Sequence, residues 1–122
     1  MQGTKDTVND LLTKYPTFTR KVVLNDYVTA QSKERLYVLV ITNKQFTPPN
    51  NEEKSKMFVV SSIHANELPP AETSLRFAEY LLEDRKNPDI KWILDCKFKV
   101  HVSSFFYSCV KLINFFMICA RH

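Results

Sequence analysis

The residues whose types and spacing point to chemistry are His64-Ala65-Asn66-Glu67. An imidazole nitrogen and a carboxylate three positions apart can converge on one ion, and His with Glu is the donor pairing of catalytic rather than structural zinc sites. A bare His-x-x-Glu is equally the pattern of a hydrogen-bonded surface pair, so the four residues alone leave both readings open. The other histidines offer less. His101 alternates with lysines on what reads as the solvent-facing side of a strand, and His122 is terminal. Cys96, Cys109 and Cys119 lack C-x-x-C spacing and read as buried or free thiols rather than ligands. Glu72 and Glu79 read as a helix-dipole partner and part of a solvated face. Arg35 stays open between a substrate-side contact and a surface charge. The single glycine, Gly3, excludes phosphate-cradling loops, dinucleotide fingerprints and G-x-S-x-G nucleophile elbows, all of which need glycine for close backbone approach.

The elements that must hold the motif flank it on both sides. Before it, Met57-Phe58-Val59-Val60 reads as a buried strand; after it, Pro69-Pro70 opens a helix with Glu72 near its positive end. Ala71, Leu75, Ala78 and Leu82 form that helix's apolar stripe, widened by Phe77 and Leu81, and the helix should end near Arg85. A strand end followed by a helix start is where open α/β sheets place ligands. Further out, Asp6 to Tyr15 predicts a helix with Val8, Leu11, Leu12 and Tyr15 on one stripe, stopped by Pro16. Val22-Val23-Leu24 and Tyr27-Val28 are β-rich, and Leu36 to Thr42 is apolar enough for a strand buried on both faces, with Gln31 to Arg35 as the hairpin turn between them. Asn43 to Lys56 reads as an exposed polar loop. Asn87-Pro88-Asp89 caps a short helix through Leu94, whose Trp92 should pack onto the sheet. Phe98, Val100 and Val102 then alternate with Lys97, Lys99 and His101 in a half-exposed strand. From Leu36 the order is strand, strand, helix, helix, strand, so the expected class is α/β, a sheet with helices packed on it.

Composition bounds the rest. The 122 residues, 44% hydrophobic and 25% charged, fit one domain that buries about two-thirds of the surface it exposes when unfolded. Nine Phe, five Tyr and one Trp argue against intrinsic disorder. The net charge of +4 is scattered singly apart from Arg20-Lys21 and Arg85-Lys86, so no nucleic-acid partner is expected. Met1 to Asp10 is polar and carries no secretory h-region, and the compartment stays open. Past Val102 the character changes: Ser103 to Cys119 is aromatic and apolar, with Ser108, Lys111 and Asn114 interrupting it. It barely reaches the 20 or so residues of a membrane span. A segment that packs on protein is the main reading, a membrane anchor or a segment foreign to the fold the alternatives.

With these elements around it, Lys56 to Glu72 resembles the first zinc-binding signature of the M14 zinc carboxypeptidases, the carboxypeptidase A-like family. Leu12 to Pro16 is similar to the family's leucine-tyrosine-proline opening, Gln31 to Leu39 to its turn and strand, and Ile93 to Val102 to the strand after the signature helix. The resemblance covers about residues 8 to 102. It implies a partial mixed sheet with flanking helices as the fold, zinc as cofactor, His64 and Glu67 as zinc ligands, Asn66 where many members bind substrate through an arginine, and peptide or protein C-termini as substrates of a completed site. Glu34-Arg35 lacks the family's glycine, and Ser103-Ser104-Phe105-Phe106 stands where a Pro-x-x-Asn-Pro-Asp-Gly run would follow. Family members place the third ligand, a histidine, and the general-base glutamate far downstream.

The resulting expectation is a metallocarboxypeptidase-like part over residues 4–102 and a divergent tail over 103–122, truncated and inactive as this chain, with no catalytic residue assigned. The competing reading is a non-enzymatic half-domain that uses the aromatic tail for a protein or membrane partner. Since a sheet ending at Val102 would leave an edge uncovered, removing Ser103 to His122 is expected to improve solubility more than it harms folding.

Overall fold

The computed structural model describes residues 2–28, 35–46, 53–61 and 68–104. The chain opens with helix α1 (Gln2–Lys14), which starts earlier than its apolar stripe and stops before Pro16, whose ring cannot continue it. Strands β1 (Thr19–Val28) and β2 (Arg35–Ile41) pair antiparallel from Thr19↔Ile41 to Leu24↔Leu36, with an irregularity before Val28↔Arg35. Strand β3 (Ser55–Ser61) precedes helix α2 (Leu68–Glu83). A short helix α3 (Pro88–Trp92) runs into a π-helical turn, Ile93–Lys97, and on into strand β4 (Phe98–Ser104). The Asn87 side chain accepts from the backbone N–H of Asp89 at 3.0 Å, the cap its sequence promises.

The strands form one mixed sheet in the order β1-β2-β4-β3. β4 pairs antiparallel with β2 and parallel with β3, in register from Ser55↔Phe98 to Ser61↔Ser104. Parallel neighbours need a long crossover, and here α2 and α3 provide it. The expected α/β class with a partial mixed sheet and flanking helices is therefore what the chain adopts.

One core joins the helices to one face of the sheet. Val8 and Leu11 of α1, Leu75, Ala78, Leu81 and Leu82 of α2, and Ile90 and Leu94 pack with Leu39, Ile41, Val100 and Val102. A fully buried aliphatic side chain of this kind contributes about 1.5–3 kcal/mol of transfer free energy. Phe77 does not widen the α2 stripe as expected: it is 36% exposed, on the flank of the helix about 40° beyond Leu81, past the edge of the buried arc of Leu75, Ala78, Leu81 and Leu82. Trp92 does not pack α3 onto the sheet either. It is 54% exposed, with the Lys97 ammonium 4.8 Å from its ring centroid, and Ile90 and Leu94 make the contact instead. β2 is buried on both faces as its run of apolar residues predicts, whereas Met57, Phe58 and Val59 are only half-buried because β3 is the edge among the described strands.

The amino ends of β3 and β4 are clasped by polar groups. Lys54, read from sequence as part of an exposed loop, is buried, and its ammonium donates to Thr42 Oγ1 (2.9 Å) and to the carbonyls of Asn43 (2.8 Å) and Leu94 (2.8 Å). Three donors meet three acceptors, which is what makes a buried ammonium tolerable. Burial still pulls Lys54 below its ordinary pKa, against the opposing influence of the Asp95 carboxylate. Asp95 is buried and accepts from Lys91 Nζ (2.7 Å) and Asn43 Nδ2 (2.8 Å). Burial alone would push its carboxyl up, but those two hydrogen bonds and the charges of Lys91 and Lys54 outweigh it and hold the group below its usual range. The end of β2, the start of β3 and the lead-in to β4 are thereby tied together.

Candidate metal centre

The clasp joins the amino edge of the parallel pair, and the carboxyl edge lies at the other end of the same register. There Ser61 ends β3 beside Ser104 of β4, and the chain returns as α2 from Leu68. The intervening residues 62–67 contain His64, Asn66 and Glu67, which lie outside the described residues, so the frame of the connection is placed and its side chains are not. Carboxyl ends of adjacent parallel strands are the ligand-binding edge of open α/β sheets, because the turns into the helices cluster there.

Within that frame the donor chemistry fits a catalytic zinc in part. An imidazole and a carboxylate are ligands of such sites, but three protein ligands are the rule, and the motif holds two. Among the described residues, no group of three or more His, Cys, Asp or Glu gathers in a way that would hold a metal ion. Cys96 is a half-buried free thiol; Cys109, Cys119 and His122 lie outside the described residues, as does the side chain of Arg35.

His101 corrects the sequence reading most. Expected on a solvent-facing side, it is 2% exposed. β4 lies between β2 and β3, so His101 is flanked by Val40 and Phe58, and its ring centroid is 5.1 Å from that of Phe58. Nδ1 is 3.1 Å from the Lys99 carbonyl, which can only accept, so Nδ1 carries the proton and Nε2 is left as a lone pair. Nε2 is buried without a hydrogen-bond partner. Desolvation lowers the imidazole's pKa, the Lys99 hydrogen bond opposes that, and the charges of Lys56, Arg20 and Lys99 reinforce it. His101 also sits three residues short of the Ser61–Ser104 edge, about 10 Å down the strand. That places it in the body of the sheet, away from the rim where the His64–Glu67 connection begins.

The sheet order, the parallel pair and the crossover helix are the setting in which the comparison with known families falls. The model of the zinc carboxypeptidase family, peptidase family M14, matches residues 4–103. The chain belongs to that family. The match takes in both strands of the carboxyl edge, the His64–Glu67 connection and helix α2. No curated protein matches the chain. Membership in the zinc carboxypeptidases makes the chain metallocarboxypeptidase-like, related to hydrolases that act as proteases, and its relatives are zinc enzymes.

Proposed function

We propose that this zinc carboxypeptidase relative is a zinc-binding module for the C-termini of peptides or proteins, in which His64 and Glu67 donate two zinc ligands and Asn66 contacts substrate. Residues 4–102 are the carboxypeptidase-like part in this reading, and 103–122 a divergent tail. One observation carries it: the His-x-x-Glu pair falls in the connection from the carboxyl end of a parallel strand to a helix, inside the stretch that matches the family. Zinc, when bound, polarises a carbonyl and acidifies a water. The residues of this chain do the holding: His64 through a neutral imidazole nitrogen and Glu67 through its carboxylate.

Residues 1–122 supply neither a third ligand in the motif nor a carboxylate assigned as general base. General-base catalysis contributes about 10²- to 10⁴-fold, and substrate orientation contributes further. Two predictions follow for this polypeptide. Zinc binds weakly and is removed by dialysis against a mild chelator, and His64→Ala abolishes the residual binding; stoichiometric zinc that survives the chelator would overturn the two-ligand reading. Blocked dipeptides with aromatic, aliphatic or basic ends are not hydrolysed with zinc added. Chelator-sensitive turnover that disappears in Glu67→Ala would show instead that the site is completed, by oligomerisation for example.

A further inference from the structure

His101 stands in a row of side chains that crosses the whole sheet. The registers pair Arg20 of β1 with Val40 of β2, Val40 with His101 of β4, and His101 with Phe58 of β3, so these four share one face. One row nearer the amino edge, Lys56 of β3 lies directly opposite Lys99 of β4 on the same face. Like charges in that position weaken a strand pair. The Glu53 carboxylate offsets them, 3.7 Å from the Lys56 ammonium and 3.4 Å from that of Lys99. Among the described residues, the charged groups around His101 are therefore three cations, Arg20, Lys56 and Lys99, and one carboxylate that two of the cations share.

A neutral imidazole fits this place and an imidazolium does not. Nδ1 already gives its proton to the Lys99 carbonyl at 3.1 Å, so a second proton must go to Nε2, which is buried without a hydrogen-bond partner. That would create an unpaired buried donor and a further positive charge beside three others. Desolvation and those charges accordingly favour the neutral ring, against the Lys99 hydrogen bond. Where the sheet yields to such a charge depends on what each neighbour loses. Parting β4 from β2 would uncover Val38, Leu39, Val40 and Ile41, none of them more than 2% exposed. Parting β4 from β3 uncovers Met57, Phe58 and Val59, which are only half-buried, and separates Lys56 from Lys99. Local opening follows the side with less apolar burial to lose. The Lys54 clasp pins the amino end of β3, so the opening runs from Phe58 toward Ser61, the end that leads into residues 62–67.

We propose that His101 is an acid-operated latch on the parallel pair: protonation at Nε2 parts β3 from β4 between Phe58 and Ser61 while β1, β2 and the helices stay folded. The latch is independent of the zinc reading. The test is backbone amide exchange of the full, metal-free chain, with each rate corrected for the intrinsic pH dependence of exchange. One proton taken up at an ordinary imidazole in the open state raises the opening constant at most about tenfold between about pH 7.5 and about pH 5.5. The expected result is a loss of protection of about threefold to tenfold in the β3–β4 ladder, with β1 and α1 unchanged and the loss absent from His101→Leu. An equal loss in the leucine variant, or one shared by β1 and α1, would overturn the proposal. The leucine also alters packing, so Lys56→Gln serves as a second variant that keeps the imidazole and removes one of the charges set against its protonation. Its acid response should shrink, and a response as large as that of the unaltered chain would overturn the latch.

Discussion

His101 has one satisfied ring nitrogen and one orphan, and that asymmetry has a consequence for stability. Burial, helped by the nearby charges of Lys56, Arg20 and Lys99, holds the folded-state pKa below the ordinary value near 6.5. The unfolded chain therefore takes up the proton first. Stability from this group is complete above about pH 6.5 and is lost as pH falls from there through the folded-state value, by at most about 1.4 kcal/mol per pH unit for one proton. Urea midpoints should drop between about pH 7.5 and about pH 5.5, and His101→Leu, which removes the titration and keeps an apolar filler, should flatten that drop. An equal drop in the leucine variant would place the sensitivity elsewhere. In the sequence, His101 looked exposed because Lys97 and Lys99 precede it at alternate positions. Lys97 is indeed exposed and Lys99 reaches Glu53 at 3.4 Å, but the alternation does not carry over to a residue whose two neighbouring strands are Val40 and Phe58.

Elements were read best where their signals are local. The α3 cap, the proline stop after α1 and the proline-opened α2 depend on residues within one turn of each other, and all three stand as expected. The clasp behaves differently. Lys54 bonds to groups 11, 12 and 40 residues away, so nothing in its own neighbourhood separates it from an ordinary loop lysine. Lys54→Met keeps the aliphatic stem and removes the three charge-assisted hydrogen bonds, while Leu94 O keeps the Thr42 hydroxyl (3.1 Å) and the Asn43 N–H (3.0 Å) and Asn43 O keeps the Phe46 N–H (3.3 Å). The expected loss is about 1–3 kcal/mol in chemical denaturation. Because the clasp joins β2, β3 and β4, amide exchange should quicken at the start of β3 and β4 together. Exchange that quickens in β3 alone would show that the clasp does not couple the strands.

At the scale of the whole molecule, the apolar cluster and the clasp tie the described sheet and helices together through residues that lie outside the His-x-x-Glu motif. A chelator should accordingly leave the thermal transition of the chain unchanged, and saturating zinc should raise it only slightly. A ligand at ten times its Kd adds about 1.4 kcal/mol by linkage, and a two-ligand site reaches that only at high metal concentration. A transition that collapses with chelator would make zinc a structural part of the fold. The α/β class, the helices and strands, and the His-x-x-Glu motif between a strand and a helix were all legible in the order of residues, since periodicity, caps and prolines act between near neighbours. Which side chains end up dry was not. The last described strand inserts between the second and the third, giving β1-β2-β4-β3, and this non-local pairing turns a histidine that reads as solvent-facing into a buried one. The same pairing brings Ser61 and Ser104 side by side at one edge, and the lysine before β3 into the polar clasp at the other. Burial depends on what lies across the sheet, and a strand's own sequence does not say which strand that is.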